Sequence, residues 1–187
     1  DAYEIPATWA FVGHLLLEKC HHVKGIAHPE ILRPSYSWYP YDWHHCDPGT
    51  DVYRDPWWYG PDVLEMVLSA RVKHEIGTHT FSHIVVDDPA CTPQILRSQL
   101  AACMELHARY GLEIHSIVFP RNRIALLEVL PEFGIIAYRG QERQWYTNLW
   151  PNISGRGFLQ ILARTIPFPP PTYALTDLCH GALVNLP

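Results

Sequence analysis

The chain is punctuated in a way that leaves few folds open. Short β-branched and aromatic runs, each closed by glycine or proline, alternate with segments whose apolar residues recur at helical spacing. Ala7 to Val12, bounded by Pro6 and Gly13, reads as a buried strand. A brief helical stretch is expected from His14 to Cys20. Pro61 opens a helix that runs to about Ala70, because proline suits the first turn and Val63, Leu64, Val67 and Leu68 share a face. His74 to His79 reads as a second strand. Thr92 and Pro93 form an N-cap and first-turn pair, and Leu96, Leu100, Cys103 and His107 line one face until Gly111 supplies a left-handed stop. Ser116 to Phe119, closed by Pro120, is a third strand; Ala125 to Glu132 is a helix that ends near Gly134; Ile135 to Tyr138 is a fourth strand. Alternation of this kind predicts an α/β fold with a parallel sheet or barrel.

The regular pattern has one large interruption. From His21 to Gly60 it gives way to Pro, Tyr, Trp, His and Asp, including Trp38-Tyr39-Pro40-Tyr41-Asp42-Trp43 and Trp57-Trp58-Tyr59. A long irregular segment inside a compact domain is usually functional. The two tryptophans and Tyr59 read either as a platform for a sugar ring or as residues that bury the loop itself. Beyond Gly140 the pattern weakens: Trp145 to Gly157 and Pro167 to Pro171 look like loops, and Phe158 to Arg164 fits helix or strand. There is no internal repeat.

Composition excludes several functions. At 187 residues and 48% hydrophobic, the chain has material for a single domain with one sizeable core. A formal charge of -5, without a Lys/Arg block, argues against a nucleic-acid partner held through its phosphates. No apolar run approaches the roughly 18 residues of a membrane span. The five cysteines are irregularly spaced and contain no CxxC pair, so they read as reduced thiols, which leans towards the cytoplasm and leaves localisation otherwise unknown, as is the oligomeric state.

The segment Glu75-Ile76-Gly77-Thr78-His79-Thr80-Phe81-Ser82-His83 carries the most chemical information. His79 and His83 can ligate one ion if their rings face the same way just past a strand end, where α/β folds place their sites. Spacing alone is a weak signal, because twelve histidines in this length give roughly one HxxxH by chance. The surrounding residues add more. Glu-Ile-Gly leading into His79-Thr80-Phe81-Ser82-His83 resembles the second motif of the polysaccharide deacetylase family, in which both histidines bind metal. Ile5-Pro6-Ala7-Thr8-Trp9-Ala10-Phe11-Val12-Gly13 is similar to that family's second strand. Val118-Phe119-Pro120-Arg121-Asn122 resembles its third motif in a variant form, and Tyr138-Arg139-Gly140 looks like the same branch. The resemblance covers about residues 1–140.

It implies an incomplete, distorted (β/α) barrel lacking its first strand and helix, in a single N-terminally truncated domain spanning 1–187. It also implies a divalent metal, with Zn2+ expected, on His79, His83 and a carboxylate, leaving positions open for water and substrate. The reaction implied is hydrolysis of the acetyl group of an N-acetylated, or alternatively O-acetylated, carbohydrate, a carbon-nitrogen bond that is not a peptide bond. The family's carboxylates come from a Thr-Phe-Asp-Asp-Gly motif that this chain does not contain. Asp1-Ala2-Tyr3-Glu4 reads as the tail of a helix already in progress, so the first strand is expected upstream, and the chain by itself is expected to lack turnover. The alternative is an inactive homologue that binds carbohydrate or metal.

Arg121 is placed by the resemblance beside the active site, where a guanidinium would orient the missing carboxylate. Leu178-Cys179-His180 fits the family's closing Leu-x-His, which supplies a general acid, but Ala182 to Pro187 looks more like a segment that precedes that motif. Glu75 is a candidate to fix an imidazole tautomer, and His74 a candidate neighbour of the site. His44-His45-Cys46-Asp47 offers a second metal cluster by composition, but adjacent histidines in a strand-like loop point apart, so it reads as a solvated loop. His107 reads as a core histidine, and His14, His21, His22 and His28 as loop or helix-end residues.

Overall fold

The computed structural model describes residues 3–141 and 173–186. Its centre is a six-stranded sheet built from β1 (Thr8–Phe11), β4 (Glu75–Thr78), β5 (Ser116–Val118), β6 (Ala137–Arg139), β8 (Leu183–Leu186) and β7 (Cys179–His180), in that spatial order. All neighbours are parallel except β7, which runs antiparallel to β8. Two short strands outside this sheet, β2 (His22–Val23) and β3 (Ile26–Ala27), form a hairpin in the long insertion. The fold is therefore mixed α/β with a mostly parallel sheet and few helices.

Helix α1 (Pro61–Leu68) carries proline in its first turn and buries Leu64 and Val67 against Phe11 and Ile76. Helix α2 (Pro93–Arg109) is capped by Thr92, whose side-chain oxygen accepts from the Ile95 N–H. Leu96, Leu100, Cys103 and His107 lie on its fully buried face, as their spacing requires. Leu96 and Leu100 pack with Ile117, Phe119, Val129, Leu130, Ile135 and Tyr138 in the main core. Burying each such side chain contributes about 1.5–3 kcal/mol.

The sequence expectations differ from the structure in a few places. The stretch after β1 is one turn of 3-10 helix, Gly13–Leu16, and Leu17 is already extended. The expected helix at Ala125 to Glu132 is a 3-10 helix, Leu127–Phe133, with Gly134 left-handed at its end (φ 71°). Pro131 lies inside it and has no N–H to donate, which disfavours a longer α-helical ladder. Tyr3 is in a turn and Glu4 has φ 53°, so neither continues a helix. Ala182 to Leu186 contributes the parallel strand β8, added beside β6. A short helix α3 (Leu175–Leu178) precedes β7. The segments Trp145 to Gly157, Phe158 to Arg164 and Pro167 to Pro171 lie outside the described residues. No helix among those described is long and apolar enough to cross a membrane.

Parallel strands align their carboxyl ends on one edge, and ligands in such sheets bind there. The carboxyl ends of β1, β4 and β5 lead into Gly13-His14, His79 to His83 and Pro120-Arg121 respectively. The residues singled out for chemistry therefore emerge side by side.

Candidate metal centre

β4 delivers His79 directly beyond its last residue, where the His79 N–H still donates to the Phe11 carbonyl of β1. The chain then folds back over a tight irregular turn. Thr80 (φ 64°) and His83 (φ 58°) both adopt the left-handed region, as do Arg121 (φ 56°) and Asn122 (φ 54°) at the end of β5. Such backbone is uncommon for non-glycine residues and clusters at functional sites. The turn is held from α2 by Gln99, whose fully buried amide oxygen accepts from both the N–H and the hydroxyl of Ser82 at 3.0 Å. From the long insertion, Trp43 donates its ring N–H to the Ser82 carbonyl at 2.7 Å.

These constraints bring the two imidazoles together, with ring centroids 4.8 Å apart. His79 Nδ1–H donates to the Val118 carbonyl of β5 at 2.7 Å. That bond fixes the tautomer and leaves Nε2 with a free lone pair, the arrangement that metal-binding histidines use. Burial pushes both imidazoles below the ordinary histidine range, with His83 adding to the effect on His79 and the Arg121 cation adding to that on His83. Both are accordingly neutral at pH 7 and available as ligands. Arg121 lies over the Trp38 ring, its guanidinium carbon 5.4 Å from the centroid, so its charge is held near His83 by an aromatic residue of the insertion. Among the described residues no carboxylate joins His79 and His83 in a group of three or more donors.

A cavity of 220 Å³ opens beside His83, lined by Trp43, Trp57, Trp58, His44 and Ser82 among others. The aromatic triplet is thus divided in its roles. Trp57 is 92% exposed and Trp58 37% exposed, both on the cavity wall, whereas Tyr59 is fully buried and anchors the loop. 

Three expected neighbours lie elsewhere. Glu75 is the first residue of β4, at the opposite end of the strand from His79, where it accepts from the Thr8 hydroxyl. A strand rises about 3.3 Å per residue, so about 13 Å of backbone separates it from His79. His74 lies at that same end, accepting from the Ala7 N–H and packing edge-on against Trp9. His180 pairs with Leu183, the first residue of β8, and so sits exposed at the amino-terminal edge of the parallel strands, away from His79.

The insertion and the segment after β1 together hold a group that the sequence pattern did not reveal. His14, Cys20, His28 and Asp47 are all buried, and one donor atom from each lies within 4.8 Å of the others, so the group has the composition and spacing to hold a metal ion. Of the His44-His45-Cys46-Asp47 run, His44 and Asp47 are buried while His45 and Cys46 are exposed. Burial drives His44 down to about 3, and the nearby Arg33, His28 and His14 act in the same direction. Asp47 is drawn to the ionised form: burial opposes its charge, but the adjoining His14 and His28 imidazoles and the Gly49 N–H hold it well below the usual carboxylate range. Burial, reinforced by Asp47, pushes the Cys20 thiol up to about 12. Among the described residues no disulfide joins the cysteines.

No family model matches the chain, and no curated protein matches it.

Proposed function

We propose that the chain forms the histidine half of the metal site in a hydrolase of the polysaccharide deacetylase type, acting on the acetyl group of an N-acetylated or O-acetylated carbohydrate. The observation that carries this reading is the pairing of His79 and His83 at the carboxyl end of β4, with the His79 tautomer set by the Val118 carbonyl. It joins the motif resemblance to a geometry that suits two ligands of one ion. A third ligand and a base would come from an Asp-Asp pair on a strand added beyond β1, whose outer edge pairs with no strand among the described residues. Closure into a distorted (β/α) barrel belongs to the same reading.

When bound, a divalent ion such as Zn2+ would acidify a water and polarise the acyl carbonyl. The chain's own residues do the rest. Burial keeps His79 and His83 neutral, Gln99 and Trp43 hold the turn that carries them, and Arg121 places a fixed cation beside His83 for a carboxylate to lean on. Trp57 and Trp58 offer apolar faces against which the C–H face of a sugar ring can lie, next to His83.

A second reading, a carbohydrate-binding homologue without turnover, is favoured by the lack of a carboxylate beside His79 and His83 among the described residues. The two part on one assay. The full-length natural protein, loaded with Zn2+, is incubated with oligomers of N-acetylglucosamine and with an acetylated xylan, and released acetate is measured before and after chelation. Metal-dependent release from either substrate supports the hydrolase; oligomer binding without release from a protein that holds its metal supports the binder; neither release nor binding overturns both.

A further inference from the structure

Asp47 Oδ2 is approached by three donors from separate parts of the chain. His14 Nε2, on the turn after β1, lies 2.8 Å away; His28 Nε2, just after β3, lies 3.4 Å away; Cys20 Sγ lies 3.5 Å away. The other carboxylate oxygen, Oδ1, accepts from the Gly49 N–H at 2.8 Å and from the Tyr59 hydroxyl at 3.4 Å, which fixes the plane of the carboxylate. The second nitrogen of His14 faces the Trp58 carbonyl at 3.3 Å.

This arrangement leaves lone pairs without partners. If His14 Nδ1–H donates to Trp58, neutral His14 presents the lone pair of Nε2 to a carboxylate oxygen, and two acceptors at that distance repel unless a proton or a cation lies between them. His28 Nε2 is fully buried and makes no hydrogen bond, although it points at the same oxygen. An orphaned buried polar atom of this kind carries a desolvation cost of about 1–3 kcal/mol. A cation shared among the four side chains satisfies all of these groups at once.

The three contacts to Asp47 lie close to the spacing around a small tetrahedral ion, and all four donors fall within 4.8 Å of one another. With bonds of about 2.0–2.3 Å, zinc sets neighbouring donors about 3.3–3.8 Å apart. The contacts at 3.4 and 3.5 Å already meet that spacing, and the 2.8 Å contact needs to open by about half an ångström. Two imidazoles, a thiol and one carboxylate suit a borderline-soft ion such as Zn2+ in preference to Mg2+ or Ca2+, which prefer oxygen. Binding converts the thiol to thiolate, with its proton released to solvent.

We propose that His14, Cys20, His28 and Asp47 form a second, structural metal site for a zinc-class ion, which staples the long insertion to the end of β1 and so holds Trp57 and Trp58 beside His83. Four protein donors close the coordination sphere and leave no position for substrate, which is the mark of a structural site. The stapled segment needs such a clamp, since between Ala27 and Pro61 it contains neither helix nor strand. His14 spans both roles, as it also lines the cavity that His83 shares with the tryptophans.

The test separates this site from the one at His79 and His83. In His79→Ala/His83→Ala protein, metal measured by mass spectrometry of the folded, dialysed sample should remain at about one equivalent, and adding Cys20→Ser and His28→Ala should remove it. Folded His79→Ala/His83→Ala protein without metal, with none taken up from Zn2+ buffer, overturns the proposal and leaves His14 as a hydrogen-bond partner of Asp47 alone. Should that variant fail to fold, Co2+ substitution in the unmutated protein asks the same question, because the other site contains no sulfur. A thiolate-to-cobalt charge-transfer band that disappears in Cys20→Ser is expected; the absence of the band, or its survival in Cys20→Ser, overturns the site.

Discussion

Replacing His79 by alanine separates a ligand role from a structural one, and the structure sets the size of each effect. The substitution removes the Nδ1–H bond to the Val118 carbonyl at 2.7 Å. A neutral hydrogen bond is worth about 0.5–1.5 kcal/mol net, and a carbonyl left without a donor costs about 1–3 kcal/mol when fully buried, an upper bound for this partly buried one. At about 2–4 °C per kcal/mol for a chain of this size, the upper figure lowers Tm by roughly 6–12 °C. A typical reserve of about 5–15 kcal/mol absorbs that loss, so the variant should fold. Metal binding should suffer far more, since even residues that only orient a ligand typically change affinity about 10–100-fold. In the full-length protein, metal content by mass spectrometry should therefore fall by about one equivalent while the circular-dichroism melt stays cooperative. His115→Ala, at an exposed imidazole, should change neither quantity appreciably. Undiminished metal content in His79→Ala would refute the assignment, and a collapsed near-ultraviolet spectrum would show that His79 is mainly a packing residue.

Other perturbations follow from the same contacts. Arg121→Ala should lower kcat for acetate release by about 10-fold or more with metal content unchanged, as expected for a positioning cation; equal losses of both would make it a support of the fold. At Gly77 an added Cβ would stand 2.8 Å from Ser116 Oγ and 3.1 Å from its carbonyl oxygen, so Gly77→Ala should push β4 from β5 and cost about 1–3 kcal/mol in a denaturant titration; an unchanged midpoint would contradict the packing. Burial holds His107 below the ordinary histidine range despite its bond to the Cys103 carbonyl, so below about pH 6.5 the unfolded chain takes up a proton that the folded chain does not. Stability is thus lost as pH falls from that point towards the folded pKa, and His107→Leu should lessen the drop in Tm on acidification; an equal drop would place His107 outside the acid response. Trp58→Ala should raise KM for oligosaccharide with little change in kcat, and an unaffected KM would remove the tryptophan from the binding surface.

Much of the frame was legible because it depends on local rules. Thr92-Pro93 and Gly111 bracket α2, and the bounding Pro6, Gly13 and Pro120 mark β1 and β5, since caps and breakers act over a few residues. The pairing of His79 with His83 was readable for a related reason: both follow one short strand, and a single turn decides whether their rings meet. Glu75 was misplaced because proximity in sequence says little about proximity in space along an extended strand. The 3-10 helix at Leu127–Phe133 shows apolar spacing overridden by Pro131. The His14, Cys20, His28 and Asp47 group was missed for a deeper reason. Its members lie at irregular separations and meet only once the insertion has folded, so no periodicity announces them. The available hint was chemical: a long segment poor in helix and strand signals but rich in histidine, with Cys20 at its start, is a segment that lacks a core and needs another staple.

The most direct test of the central claim is anomalous diffraction at the zinc edge from crystals of the Zn2+-loaded full-length protein. The account predicts a peak within about 2.0–2.1 Å of Nε2 of His79 and of a ring nitrogen of His83, with a carboxylate completing the ligand set. A map with no peak between those two imidazoles, in a protein that shows zinc elsewhere, would contradict it.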